Sequence, residues 1–312
     1  MRLSEEKIEK LAEDFENKHP REMLVLVTGG AGYMGPVLIK KLLELKHTVR
    51  VIDNFWRGKE DSLDGFDVDL IEGDIRNPDD VKSVMKSVDV VFHLAAQPSV
   101  SLSEIESTYT EQTNVTGTRL LLSAAKKENV KKFIFYSTMG VYGNIPNISI
   151  NENTPLNPTC ESSTTKAAGE FLCKSFWTNY QLPIVILRYG VVYGPSTGLR
   201  YFDEFHETVP NRFTFLGMSH KPLTIYGGGN QTRGFIHVED AADLAVMVMN
   251  KDRISGEVFN GCSEVRTVNE VAEIVRHTFQ SEENMSLKTE YISNQRIEEM
   301  KLPYTVSFEK IE

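Results

Sequence analysis

The chain has 312 residues, 40% of them apolar and 25% charged, the make-up of a soluble globular protein with room for one large core or two interleaved ones. A formal charge of −10 leaves no basic footprint for nucleic acid, whose binding rests on displacing counterions from phosphates. Cys160, Cys173 and Cys262 are widely spaced, form no C-x-x-C and leave one unpaired, so neither a disulfide framework nor a metal site is expected, and a reducing cytosol fits.

Ile8, Leu11 and Phe15 recur at helical spacing among charges, so residues 1–22 read as an extension carrying a short amphipathic helix over 3–18. Its expected role is docking against the domain or a partner. The segment is too charged for a secretory leader, and no later apolar run reaches membrane-spanning length, so no membrane partner and a cytoplasmic location are expected. A regular alternation follows. "MLVLVT" is a strand, "GPVLIKKLLELK" a helix, "TVRVID" and "VDLIEGD" strands, "DDVKSVMKS" a helix, and "DVVFHLA" a strand. Next come a long helix through "TNVTGTRLLLSAAKKE", the strand "KKFIFYST", a helix after Lys166 and the strand "PIVILRYG". Near-continuous apolar strands separated by helices indicate an α/β fold with a doubly wound parallel sheet of the Rossmann type.

Beyond Tyr193 the rhythm gives way to an irregular stretch rich in Gly, Pro and aromatic residues, with helical patterns returning at "VEDAADLAVMVMN" and "TVNEVAEIVRHTF". The expected division is a dinucleotide-binding domain over 23–193, with 232–262 returning to it. A smaller C-terminal lobe covering the substrate is expected from 194–231 and 263–312.

The turn "TGGAGYMG" sets Gly29, Gly32 and Gly35, with Tyr33 and Met34, between the first strand and first helix. Glycine lets the backbone turn tightly and approach a pyrophosphate, which the unpaired N–H groups of a helix N-terminus attract. Asp53, followed by Asn54, closes the second strand where a carboxylate accepts hydrogen bonds from an adenosine ribose and repels a 2′-phosphate, so NAD is expected rather than NADP. Asp74 and Ile75 end the third strand near the expected adenine. Leu94, Ala95 and Ala96 end the fourth in small residues against which a dinucleotide can lie. Asn114 is read either as a cofactor contact or as a structural residue.

These pieces, with "NVTGT", "FIFYSTMGVYG", "TPLNPTCESSTTKAAGE", "LRYGVVYGP", "PLTIYGGGNQTRGFIHVEDAADL" and "FNGC", closely resemble the extended short-chain dehydrogenases/reductases, in particular the NAD-dependent nucleotide-sugar epimerases and dehydratases. The resemblance implies that bound NAD oxidises a sugar hydroxyl and that hydride later returns. A tyrosinate removes the hydroxyl proton, a Ser or Thr orients the same oxygen, and a lysine lowers the tyrosine pKa and holds the nicotinamide ribose. Thr138 matches the orienting hydroxyl and Lys166 the lysine, while Tyr189 joins the expected cofactor contacts. Gln97, Thr138, Val191 and Arg233 are the expected substrate contacts, Arg233 as the fork that grips the diphosphate of a UDP-, dTDP- or GDP-linked sugar.

Three positions depart from the family pattern. Ser162 stands at the tyrosine position, with Thr154-Pro155, Asn157-Pro158, Lys166 and Gly169-Glu170 in gapless register around it. Val191 stands where Asn is common, and Gly234 where Asp usually follows the arginine. Dehydratases of the family carry an Asp-Glu pair directly after the Thr and decarboxylases an acid, whereas this chain has Met139 and Gly140. The subtraction leaves an epimerase, homodimeric by resemblance through the helices over 114–127 and after Lys166. Losing a positioned base costs about 10²–10⁴-fold in rate. Three readings stay open: another group (Thr138, a water on Ser162, or Glu161) takes the proton; the chain binds NAD and a nucleotide sugar without turnover, as sensor or partner subunit; or Ser162 was introduced into a tyrosine-bearing parent. Cys160, beside Ser162, is read as packing.

Overall fold

Runs of Val, Ile, Leu and Phe that are apolar at nearly every position become strands buried on both faces, as parallel sheets require. The computed structural model describes residues 22–144, 149–197, 208–293, 304–307 and 309–310. The helix expected over 3–18 lies outside the described residues, as do parts of both expected lobe segments. The strands in chain order are β1 (Leu24–Thr28), β2 (Thr48–Asp53), β3 (Val68–Glu72), β4 (Val90–His93), β5 (Lys132–Thr138), β6 (Ser149–Ile150) and β7 (Ile184–Tyr189). They continue with β8 (Val191–Tyr193), β9 (Leu223–Tyr226), β10 (Thr232–His237), β11 (Val258–Gly261), β12 (Glu264–Thr267), β13 (Thr289–Ile292) and β14 (Thr305–Val306). The helices are α1 (Gly35–Glu44), α2 (Pro78–Val84), α3 (Val100–Ile105), α4 (Ser107–Glu111), α5 (Thr118–Lys127), α6 (Glu161–Tyr180), α7 (Val209–Met218), α8 (Val238–Asn250) and α9 (Val268–Glu282).

Seven strands form one parallel sheet in the order β11-β7-β5-β4-β1-β2-β3. The chain runs outward from β1 in both directions, so the switch point lies between β1 and β4, where doubly wound sheets open a crevice at the carboxyl ends of their strands. One apolar layer packs α1 and α8 onto the sheet through Leu38, Ile39, Val51, Ala241 and Ala245. The opposite layer carries Leu121, Leu122, Phe133, Phe135 and Cys173 under α5 and α6. A separate small core of Phe213, Leu223, Ile225, Phe235, Val268 and Val271 supports the C-terminal elements. Among the described residues no helix is long and apolar enough to cross a membrane.

Two expectations change. The helix read as following Lys166 begins at Glu161, so Ser162 sits in its first turn. Of the segment 232–262 expected to return to the main domain, α8 packs on the large sheet and β11 pairs with β7, while β10 joins β8 and β12 in a three-stranded sheet. The reason lies at Gly190, between β7 and β8: a Cβ there would stand 2.5 Å from Gly234 O, so only a glycine lets the chain leave the large sheet for the small one.

Candidate active site

The carboxyl ends of β1, β2, β4, β5 and β7 open onto one cavity of about 1100 Å³, shared with the C-terminal elements. The end beneath the β1–α1 turn is built from glycine geometry. Gly29 has φ +69°, and a Cβ on it would meet the Ala95 backbone at 2.7 Å, so this position closes the turn onto the end of β4. A Cβ at Gly32 would meet only Gly29 O, at 3.2 Å, which leaves the backbone open to the cavity. Gly35 is off the wall; a Cβ there would stand 2.0 Å from Gly30 O, so its smallness serves the packing of α1 under the turn.

Asp53 and Asp74 sit at this end in different electrical states. Asp53 is buried, and its carboxylate accepts from Ala31 N (3.0 Å) and Phe55 N (2.9 Å); burial raises its pKa while these bonds hold it down. Asp74 accepts from Arg76 Nε (2.9 Å) and Nη2 (2.6 Å), and the guanidinium holds its pKa down to about 2. Asn54 Nδ2 donates to Asp74 (3.0 Å). Arg76 also lies 4.4 Å over the Tyr109 ring, and Trp56 stacks on that ring at 4.8 Å, making a flat aromatic edge at this end. Tyr33, Met34, Ile75, Leu94, Ala95 and Ala96 complete the wall.

Below the floor, His93 is fully buried between two hydroxyls, Nδ1 to Thr28 Oγ1 and Nε2 to Thr118 Oγ1, both at 2.8 Å. Thr118 gives its proton to Asn114 O (2.7 Å), so Nε2 carries the hydrogen and Nδ1 accepts from Thr28. Burial keeps this imidazole neutral, its pKa well below the usual range.

The other end lies between β5 and the start of α6. Thr138 lies beside Tyr189 in the sheet, and its Oγ1 accepts from Gly140 N (3.1 Å). Lys166 is 6% exposed and donates to Tyr136 O (2.6 Å); burial lowers its pKa to about 8. Ser162 is also buried, and its Oγ donates to Pro98 O (3.1 Å). Val191 and Arg233 stand on the wall from the small sheet.

Besides Gly35, two expected contacts are placed elsewhere. Asn114 and Gln97 are buried off the wall and hold each other: Gln97 N donates to Asn114 Oδ1 (2.8 Å), and Asn114 Nδ2 donates to Gln97 O (3.1 Å) and Thr165 Oγ1 (2.9 Å). They brace the loop after β4 against α6. Glu161 is likewise off the wall, accepting from Ser107 Oγ (2.5 Å). Several wall residues were missed by sequence reasoning. Tyr136 shares a strand face with Thr138 two residues on, a signal that alternation carries. Arg212 stacks 4.5 Å over Tyr226 and donates to Thr224 O (2.7 Å), while Tyr304 accepts from Gly234 N (2.8 Å); neither has a local motif.

The NAD dependent epimerase/dehydratase family model matches residues 25–262. Human dTDP-D-glucose 4,6-dehydratase is 31% identical over 293 residues, covering 89% of this chain and 81% of the relative. A putative UDP-glucose 4-epimerase of Methanocaldococcus jannaschii is 34% identical over 257 residues, covering 81% and 82%. The solved UDP-N-acetylglucosamine 4-epimerase of Methanobrevibacter ruminantium M1, in complex with UDP-N-acetylmuramic acid, superposes with a TM-score of 0.83 at 28% identity, covering 93% of this chain and 91% of that one. By the extent of that match the chain belongs to the NAD dependent epimerase/dehydratase family.

Proposed function

We propose that the protein is an NAD-dependent nucleotide-sugar epimerase whose site works without the tyrosine base. The observation that carries this reading is the pairing of Thr138 and Lys166 on one cavity wall with Met139 and Gly140 directly after the threonine, where no acid for elimination stands. A Cβ at Gly140 would be 2.5 Å from Ser163 Oγ, so a side chain there would first have to turn Ser163 away.

NAD, the cofactor of the family, would supply the hydride acceptor and donor when bound. The residues present fit it: the open backbone at Gly32, with Tyr33 and Met34 beside it, would receive the pyrophosphate, Asp53 the adenosine ribose, and Lys166 the nicotinamide ribose. Thr138 holds the reacting sugar hydroxyl, with its hydroxyl proton free to donate because its lone pair already accepts from Gly140 N. Arg233 grips the diphosphate, and Val191 gives an apolar contact in place of an amide. UDP- and dTDP-linked sugars are the first substrates to test, with GDP-linked sugars beside them. A cytoplasmic homodimer belongs to the same proposal. Phe171 (60% exposed) and Tyr180 (50%) on α6 supply apolar surface for it, and the three free cysteines suit a reducing compartment.

Purified protein is supplied with NAD and a panel of nucleotide sugars while reduced-nicotinamide absorbance and sugar products are followed. Product with transient reduction supports the reading. NAD binding with neither signal across the panel would replace it with the rival, a binding protein without turnover. One observation favours that rival: Ser162 spends its proton on Pro98 O and offers the substrate none. Ser162→Tyr is expected to raise turnover, since Thr138 and Lys166 are already placed.

A further inference from the structure

We propose that Lys166 is itself the proton-transferring group of this site: its Nζ takes the proton of the sugar hydroxyl during oxidation and returns it on re-reduction. This rests on the epimerase reading above.

Ser162 and Lys166 are four residues apart on α6 and therefore share one helix face, one turn apart. A serine is short, and this one is tied to the loop after β4, while Lys166 lines the cavity beside it. Three neighbouring groups fail on geometry or chemistry. Glu161 faces Ser107 off the wall, Cys160 Sγ is engaged with Ser163 Oγ (3.2 Å), and Thr138 is an aliphatic alcohol, too weak an acid to cycle as a base. Lys166 Nζ makes one hydrogen bond, to Tyr136 O, although an ammonium carries three donors. Its remaining positions have no partner among the described residues, in a side chain that lines the cavity and is more than nine-tenths buried.

The titratable and charged neighbours leave it unpaired. On its own helix, Glu170 is consumed by Arg188 of β7 (2.6 Å) and Ser137 of β5 (2.6 Å), and Cys173 is a buried thiol. His93 of β4 is neutral, and β5 presents a carbonyl and the Phe135 ring, 4.8 Å from Nζ. An ammonium in such a place is pulled toward neutrality, to about 8, the range a general base needs near physiological pH. The step balances with what the family supplies. Neutral Nζ takes the hydroxyl proton and becomes an ammonium, while the electron pair of the C–H bond leaves as hydride to NAD and the carbonyl forms. On return, hydride adds to the opposite face of the carbonyl carbon and the ammonium gives its proton to the oxygen.

Two measurements test this on the full chain. Competitive acetylation read by mass spectrometry reports the titration of Lys166 without any turnover; a midpoint near pH 8 is expected, and one near the ordinary value of 10.5 overturns the proposal. Single-turnover hydride transfer is then measured for the native protein, Lys166→Ala and Lys166→Arg, with NAD binding checked separately for each. The alanine variant should lose about 10²–10⁴-fold and regain rate with added small primary amines, whereas the arginine variant should stay slow with or without them. A native protein that transfers hydride, with an alanine variant that neither slows nor responds to amines, sinks the role of Lys166 and leaves the epimerase reading standing. A native protein that transfers no hydride to NAD from any nucleotide sugar sinks the epimerase reading and this proposal with it.

Discussion

Replacing Glu170 by glutamine removes one charge from a pair that water does not reach: Arg188 is 1% exposed and Glu170 0%. The carboxylate accepts from Arg188 Nε (2.9 Å) and Nη2 (2.6 Å) and from Ser137 Oγ (2.6 Å). Arg188 Nη1 continues to Tyr142 Oη (2.8 Å) and Glu152 O (3.1 Å), so the guanidinium cannot swing out to solvent when its counter-ion goes. A buried charge left uncompensated costs about 3–5 kcal/mol, a fifth or more of a typical folding stability of about 5–15 kcal/mol. The melting temperature should fall by roughly 6–20 °C, at about 2–4 °C per kcal/mol for a chain of this class. Urea titrations of native protein and Glu170→Gln, with equal slopes, measure it. The paired change Glu170→Leu with Arg188→Met should recover all but about 2–3 kcal/mol, because apolar side chains replace a buried ion pair at little cost and leave Ser137 Oγ and Glu152 O without these partners. A loss below about 1 kcal/mol in Glu170→Gln would refute the reasoning. Activity should fall with stability, since Ser137 and Arg188 directly precede Thr138 and Tyr189 on the wall.

Gly29→Ala forces a side chain into a left-handed backbone and against Ala95, and is expected to weaken NAD binding by about 5–150-fold by calorimetry, following the strain of about 1–3 kcal/mol such a position stores. Lys166 binds fewer protons folded than unfolded between about 8 and 10.5, so the stability of the cofactor-free protein should rise with pH through that window; the penalty is complete below it, at roughly 3 kcal/mol. Lys166→Met should therefore raise the melting temperature at neutral pH and flatten the rise, as thermal scans of protein without NAD will show. Lys132→Met removes three bonds to the end of α8, to Val248 O and Met249 O (both 2.9 Å) and Lys251 O (2.6 Å). It should cost about 1–3 kcal/mol and speed hydrogen exchange over the last turn of that helix.

Strands buried on both faces leave a record in sequence that needs no partner to interpret, which is why "MLVLVT" and "KKFIFYST" were legible as strands. The start of α6 was not. Ser162, Ser163, Thr164 and Thr165 are weak helix formers, yet Thr164 and Thr165 turn their hydroxyls back onto Cys160 O (2.9 Å) and Glu161 O (3.0 Å) within the helix. Polar residues beside a motif are ambiguous for another reason. Gln97 and Asn114 have the chemistry of ligand contacts, and only their placement reveals that the Asn114 side chain is engaged with the Gln97 backbone. Tyr304 and Arg212 reach the wall from elements distant in sequence, information that no local pattern holds. The small sheet of β8, β10 and β12 is a matter of strand partners, which alternation and composition leave unspecified.

The aromatic stack beside Asp74 also makes the protein its own optical probe. Of two tryptophans, Trp56 is 39% exposed, lines the cavity and lies face to face with Tyr109, whereas Trp177 sits on α6 against Gly256, off the cavity wall. An adenine arriving at the Trp56 edge changes the surroundings of one emitter and leaves the other as an internal reference. Occupancy of the dinucleotide end is thereby readable from native fluorescence, without label and without turnover.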